Sequence, residues 1–276
     1  MKYRHAYHAG NFADVLKHVA LVSALLHLRK KAKPFAVIDT HAGRGLYDLG
    51  GTEAEKTGEA AQGIAKLHGL ASRNNALSTY LDIVKSFGSE RYPGSPLIAE
   101  KLLRPGDRLI AIEKHPEEFA ALDAALSRAK PVQGDGYERL AALLPPPERR
   151  GLILIDPPYE ASDEFEQLAR AFASAYRRFA TGIYLLWYPL KARQDIDALG
   201  GELRHAGATK LLALTLNVGR QLGAQDERLS STGLFVVNPP FGFDAEMHDA
   251  MDEILPLLRQ GPNAAARVDC LAGEGT

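Results

Sequence analysis

Four acidic residues each end a short apolar or small-residue run in this chain: Asp39 after AVI, Glu113 after LIAI, Asp135 after PVQG and Asp156 after GLILI. Buried acids are costly unless compensated, so four of them at the ends of buried strands point to recognition of a polar ligand along one rim. The last acid opens Asp156-Pro157-Pro158-Tyr159. Consecutive prolines stop a strand's hydrogen-bond ladder at once, so Asp156, the Pro157 carbonyl and the Tyr159 ring leave the strand as one rigid cluster. That cluster suits methyl transfer to an exocyclic amine. Two acceptors hold the amine hydrogens, draw the nitrogen lone pair out of conjugation and favour positive charge developing there; Asp156 can also take the proton. Tyr159 offers a face on which a base stacks. A near copy, Asn238-Pro239-Pro240-Phe241, follows all the other ligand-facing loops and is expected only to end a strand.

The donor is read from the loop Asp39-Thr-His-Ala-Gly-Arg-Gly45. Gly43 and Gly45 let backbone approach a ligand closely. A dinucleotide fingerprint needs a third glycine where Asp48 stands, and the Gly-Lys-Ser/Thr of a phosphate-cradling loop is absent. The expected ligand lacks a pyrophosphate, and Glu113 is placed to accept from ribose hydroxyls. S-adenosylmethionine fits both conditions; a nicotinamide cofactor is disfavoured. His5 and His8 have no third ligand at convincing spacing, so no metal is expected.

The elements that must position these residues follow from periodicity. Asn11 caps a helix whose apolar residues Phe12, Val15, Leu16, Val19, Val22 and Leu26 recur at spacings of three and four, running to about Arg29. Strands are expected in 34–39, 108–113, 131–135, 151–156, 182–189, 210–218 and 233–238. Helical segments lie between most of them, which predicts a seven-stranded, mostly parallel doubly wound α/β sheet. The last two strands, joined by a loop without apolar periodicity, are expected to form an antiparallel edge pair. Residues 46–91 lack a strand-like run and carry helical patches at 59–67 and 77–87, so they read as a helical insertion above the working edge. The expected division is a main domain over 1–45 and 92–260, the insertion subdomain over 46–91, and a C-terminal tail over 261–276.

Composition bounds the rest. The chain has 276 residues, 46% of them hydrophobic, which is enough for a large core, and a formal net charge of -1. Positive charge is nevertheless concentrated early: residues 1–35 hold Lys2, Arg4, Lys17, Arg29, Lys30, Lys31 and Lys33 against the single acid Asp14, a patch able to meet phosphate. The lone Cys270 excludes an internal disulfide or cysteine metal site. No apolar stretch is long enough to span a bilayer, and the opening MKYRHAYHAG lacks a signal-peptide core, so a cytoplasmic protein without a membrane partner is expected.

Several motifs together carry a resemblance: YRHAYHAGNFADVLKH at the start, DTHAGRG, YPGSPLIA at 92–99, GDG and GLILIDPPYE. In these the chain resembles the RlmJ family of bacterial 23S rRNA adenine-N6 methyltransferases, over most of its length up to about Pro240. The resemblance implies a class I methyltransferase fold with a Rossmann-like sheet, S-adenosylmethionine as donor, and Asp156 as the catalytic acid-base group. By motif position it implies cofactor contacts at Lys17, His18, His41, Ser95, Glu113, Asp135 and Gly136, with Asp39 and Gly43 added from the loop reading above. It also implies that Tyr3, with Arg4 and His5 in the same basic aromatic start, meets the RNA. The partner would be 23S rRNA, free or partly assembled, with no obligate protein partner evident. A DNA adenine methyltransferase and a non-catalytic RNA-binding protein on the same fold are the alternatives.

Overall fold

The computed structural model describes residues 7–51, 57–191, 193–221 and 228–273. In chain order the elements are α1 (Phe12–Arg29), β1 (Ala36–Asp39), β2 (Leu46–Asp48), α2 (Glu59–Gln62), α3 (Asn75–Lys85), β3 (Arg91–Pro93), α4 (Ser95–Leu102) and β4 (Arg108–Glu113). They continue with α5 (Pro116–Ala125), β5 (Val132–Gln133), α6 (Gly136–Leu140), β6 (Gly151–Ile155), α7 (Glu164–Arg178), β7 (Ile183–Pro189) and α8 (Arg193–His205). Last come β8 (Leu211–Asn217), β9 (Ser231–Val237), α9 (Phe243–Leu258) and β10 (Ala265–Ala272).

Eight strands form one sheet in the order β10-β8-β9-β7-β6-β1-β4-β5. β1 pairs in parallel with both β4 and β6, and β6 with β7, so these strands present their carboxyl ends to one edge. Each is apolar on both faces because both are covered. Val37, Leu109, Leu152 and Leu154 join a core with α1, α4 and α9, whereas Ile38, Ile110, Ile153 and Ile155 join one with α7 and α8. This is the class I methyltransferase arrangement expected from the alternation of elements.

Two expectations about the sheet need correction. The strand count is eight, because residues 265–272, assigned to the tail, pair antiparallel with β8 from Ala265↔Asn217 onward. The run AARVDCLA is rich in Ala and broken by Arg267 and Asp269, so its strand form comes from that pairing and not from local propensity. β8 and β9 are antiparallel as expected, but they are not an edge pair: β9 lies between β7 and β8, antiparallel to both.

α1 forms as its spacing predicts, with Asn11 Oδ1 accepting from the amides of Ala13 and Asp14 at 2.9 and 3.0 Å. It is buried almost all round, since the sheet covers one side and α3, α4 and α9 the others. Polar residues on such a helix must be paired, and that requirement shapes the site. The stretch 46–91 leaves and rejoins the sheet through the small ribbon β2–β3, where Tyr47 faces Tyr92. Its Ile64, Leu67, Leu77 and Tyr80 share a core with α1, and Ile64 N donates to Gly10 O at 2.8 Å. Glu59 accepts from Asn11 Nδ2 at 2.9 Å and lies 3.0 Å from His8 Nδ1, which fixes the entry to α1.

Candidate active site

At the carboxyl edge of β1, β4 and β6 a cavity of about 620 Å³ opens, lined among others by Lys17, His18, His41, Gly43, Ser95, Glu113, Asp135, Asp156 and Pro157. Three of the four strand-end acids, His41 from the loop after Asp39 and residues of α1 are thus brought together although they span 140 positions of chain (17–156). The register explains it: Asp39 is level with Ala111 on one side and Leu154 on the other.

Asp156 leaves β6 and meets α1. Its Oδ2 lies 2.5 Å from Lys17 Nζ, and the same ammonium lies 2.8 Å from Asp14 Oδ1. Lys17 and Asp14 are 3% and 2% exposed. Burial alone pushes the Lys17 ammonium down, but the Asp14 and Asp156 carboxylates outweigh it and the group ends well above the usual lysine range. It is therefore a fixed cation. Asp14 Oδ2 accepts from Gly10 N at 2.9 Å, tying this triad to the turn that starts the helix. From the sequence Asp14 stands only as the lone acid of the basic start; its position three residues before Lys17 on a helix is the signal that pairs them.

Asp39 is 1% exposed and has an oxygen, Oδ2, without a partner among the described residues. Burial pushes its carboxyl up to about 7, with Ser95 hydrogen bonding against the shift and Asp156 adding to it. His41, two residues on, is pushed down to about 4 by burial, against the pull of Asp156 and Asp135, so its imidazole is neutral at pH 7. Its ring meets the edge of Tyr137 at 4.9 Å. Glu113 is engaged by the glycine loop: Gly43 N donates to Oε2 at 2.9 Å and His115 N to Oε1 at 2.6 Å. Burial raises its carboxyl despite these bonds. Asp135 caps α6 through the amides of Tyr137 and Glu138 and pairs with Lys114 at 2.9 Å. Burial acts upward on Asp135, yet Lys114 and the amides bring it below the usual range.

Glycine is required at two of these positions. Gly43 has φ +62°, and a Cβ there would collide with the Tyr47 hydroxyl; a Cβ on Gly136 would run into the Thr40 carbonyl. Gly136 and Asp39 are close behind the cavity and not on its surface. His18 lines the cavity and its Nδ1 is 2.7 Å from Tyr92 Oη, which is 2.9 Å from Tyr80 Oη. Lys114, Glu118, Tyr137 and Glu164 also line it and were missed from sequence, since nothing in their local patterns distinguishes them from surface residues.

Tyr159 departs from the expectation that its ring walls the cavity. The residue has φ 52°, its hydroxyl donates to Trp187 O at 2.8 Å, and its ring packs on Phe165 and Trp187 at 4.8 and 5.7 Å. It sits beside the cavity and not among its lining. Tyr3, Arg4 and His5 lie outside the described residues.

The rival turn is at the other edge. Because β9 runs antiparallel, its end is level with the start of β7, Val237 against Tyr184. Asn238 Nδ2 there donates to the carbonyls of Ala180 and Gly182 at 2.8 and 2.7 Å, and Phe241 is 97% exposed.

Comparison with known proteins agrees with this geometry. Residues 32–269 match the model of a family described as "Ribosomal RNA large subunit methyltransferase D, RlmJ". Two proteins named ribosomal RNA large subunit methyltransferase J are similar over most of their length. The one from Escherichia coli is 43% identical, covering 91% of each chain; the one from Haemophilus influenzae is 40% identical, covering 94% of this chain and 92% of its own. The crystal structure of protein LPL1258 from Legionella pneumophila superposes with a TM-score of 0.86 at 32% identity, over 95% of this chain and 98% of that one. The chain is a member of the RlmJ methyltransferase family.

Proposed function

We propose that this protein transfers a methyl group from S-adenosylmethionine to the exocyclic N6 amine of one adenine in 23S rRNA. The two relatives named ribosomal RNA large subunit methyltransferase J support ribosomal RNA of the large subunit as substrate. The observation that carries the choice of an amine is Asp156, held at the end of β6 by the buried Lys17 ammonium and followed by a proline carbonyl at the cavity wall.

The residues fit the donor. A cavity of about 620 Å³ is ample for a nucleoside carrying an amino-acid arm. Asp39 Oδ2, just behind the cavity wall and without a partner among the described residues, would favour a cation such as an α-ammonium on the other side of that wall. Glu113, with Gly43 drawn against it, would accept from ribose hydroxyls, while His41, Ser95 and Asp135 would surround the remainder, with Gly136 behind them giving the Thr40 backbone room. When bound, S-adenosylmethionine supplies a methyl group on a sulfonium, open to in-line attack by nitrogen.

The chain's own groups prepare that attack. Lys17 holds one oxygen of Asp156, so the carboxylate is orientated before substrate arrives. The remaining acceptor capacity of Asp156 and the Pro157 carbonyl would take the two amine hydrogens, turning the lone pair toward the methyl and stabilising charge on nitrogen as it develops. Lys17 remains an ammonium and does not compete for the proton; Asp156 is the carboxylate offered to it. With its hydroxyl committed to Trp187, Tyr159 would act as a fixed stacking face at the cavity's border.

Supplying labelled S-adenosylmethionine with 23S rRNA and, separately, with duplex DNA tests the reading. Label in the rRNA is expected, on N6 of adenine. Label entering only DNA would replace it with the DNA alternative. Label entering neither would favour the RNA-binding alternative.

A further inference from the structure

The basic start of the chain divides in the fold. Lys17 is buried against Asp156, whereas Lys30, Lys31 and Lys33 are exposed just beyond the end of α1. Thirteen residues of helix separate Lys17 from Lys30, roughly 20 Å at the helical rise. The lysines therefore lie at the opposite edge of the sheet. Ala36, Arg108 and Gly151 are mutually in register there, so the loops preceding β1, β4 and β6 sit side by side.

These loops carry little compensating charge. Beside the three lysines they hold Arg104, Arg108, Arg149 and Arg150, against two acids, Asp107 and Glu148. Both acids are engaged, Asp107 by Arg104 and Glu148 by Arg108, each at 2.9 Å. Among the described residues, Lys30, Lys31 and Lys33 form no ion pair.

A simpler account would have the lysines satisfy the carbonyls at the helix's negative end. Two guanidiniums already do so. Arg104 donates to the carbonyls of Arg29 and Lys31 at 3.1 and 2.8 Å, and Arg150 to those of Leu28 and Lys33 at 2.5 and 2.6 Å. The turn is braced from beneath and its ammonium groups are left facing solvent. Positive potential extends inward as well: His27 is held below the usual histidine range by burial, then by Lys30, Arg150 and Lys31.

We propose that Lys30, Lys31 and Lys33 form a second contact with the RNA substrate, binding backbone phosphates of the segment that runs away from the target base along the far side of the domain. The inference rests on the RNA reading above. It makes the lysines a source of affinity for extended RNA, distant from the chemistry. Each phosphate contact releases counterions, so their loss should weaken binding and flatten its salt dependence together.

The test compares the full chain with a Lys30→Gln/Lys31→Gln/Lys33→Gln variant on a 23S rRNA transcript. The expected result is a KM raised about tenfold at physiological salt, kcat within about twofold, and a slope of log affinity against log salt shallower by about 2. Wild-type KM and wild-type salt slope in a variant that methylates the RNA would overturn the patch alone. A wild-type chain that labels no RNA would overturn the substrate reading, and the patch with it.

Discussion

Asp156-Pro-Pro-Tyr159 and Asn238-Pro-Pro-Phe241 are nearly the same words, yet they do opposite things. The first ends a parallel strand, so it faces the cavity; the second ends an antiparallel strand, so it faces away from it. Their backbones differ too: the left-handed residue is the fourth of one turn, Tyr159 at φ 52°, and the first of the other, Asn238 at φ 54°. Asp156 meets an ammonium from α1, while Asn238 spends its amide on two carbonyls of its own edge. Strand direction, not motif identity, decides which turn faces the cavity.

The comparison can be broken most forcefully at Lys17. Lys17→Met leaves the buried Asp14 and the half-buried Asp156 without their cation, and should cost about 3–5 kcal/mol of stability as well as nearly all activity. Denaturant unfolding with methylation assays checks both. A near-neutral result would mean that the Asp156 turn is no more committed than the Asn238 turn.

Next is the pH response of the acid-lined edge. Asp39 has its carboxyl raised to about 7 in the fold, from an unfolded value near 3.8. Its favourable contribution is therefore complete below about pH 4 and is lost as pH rises to about 7, because the unfolded chain releases its proton first. Asp39→Asn cannot titrate. Its stability relative to wild type should grow across that window to as much as about 4 kcal/mol, a shift of about three pKa units converted to free energy. Thermal unfolding at pH 5 and pH 8 would read it, and an unchanged difference would remove the argument.

At the opposite edge the effects are smaller and leave catalysis alone. Asn238→Ala strips a donor from the carbonyls of Ala180 and Gly182 and should cost about 1–3 kcal/mol with kcat unchanged. Phe241→Ser, at a fully exposed ring, should stay within about 0.5 kcal/mol and alter no rate. A loss of turnover in either would put function at the wrong edge.

Much of this was legible because it is local. The cap and spacing define α1, apolar runs define β1, β4 and β6, and an acid at the end of each marks the rim. β10 was not, since Ala, Cys and single charges make a poor strand until β8 offers its edge. Nor was the partner of Asp156, which lies 139 residues earlier and is found only when α1 is laid across the sheet. The place of Tyr159 directly after two prolines is legible, but its ring direction depends on Trp187 and Phe165, which no spacing reveals.

The most direct test is product analysis with Asp156→Ala. Wild-type and variant chains would each be incubated with 23S rRNA and S-adenosylmethionine, and the RNA digested to nucleosides for mass spectrometry, with donor binding measured in parallel by calorimetry. N6-methyladenosine is expected from the wild type and at least about a thousandfold less from the variant, while the variant still binds the donor. Undiminished N6-methyladenosine from Asp156→Ala, or methylation of a different atom by the wild type, would contradict the account.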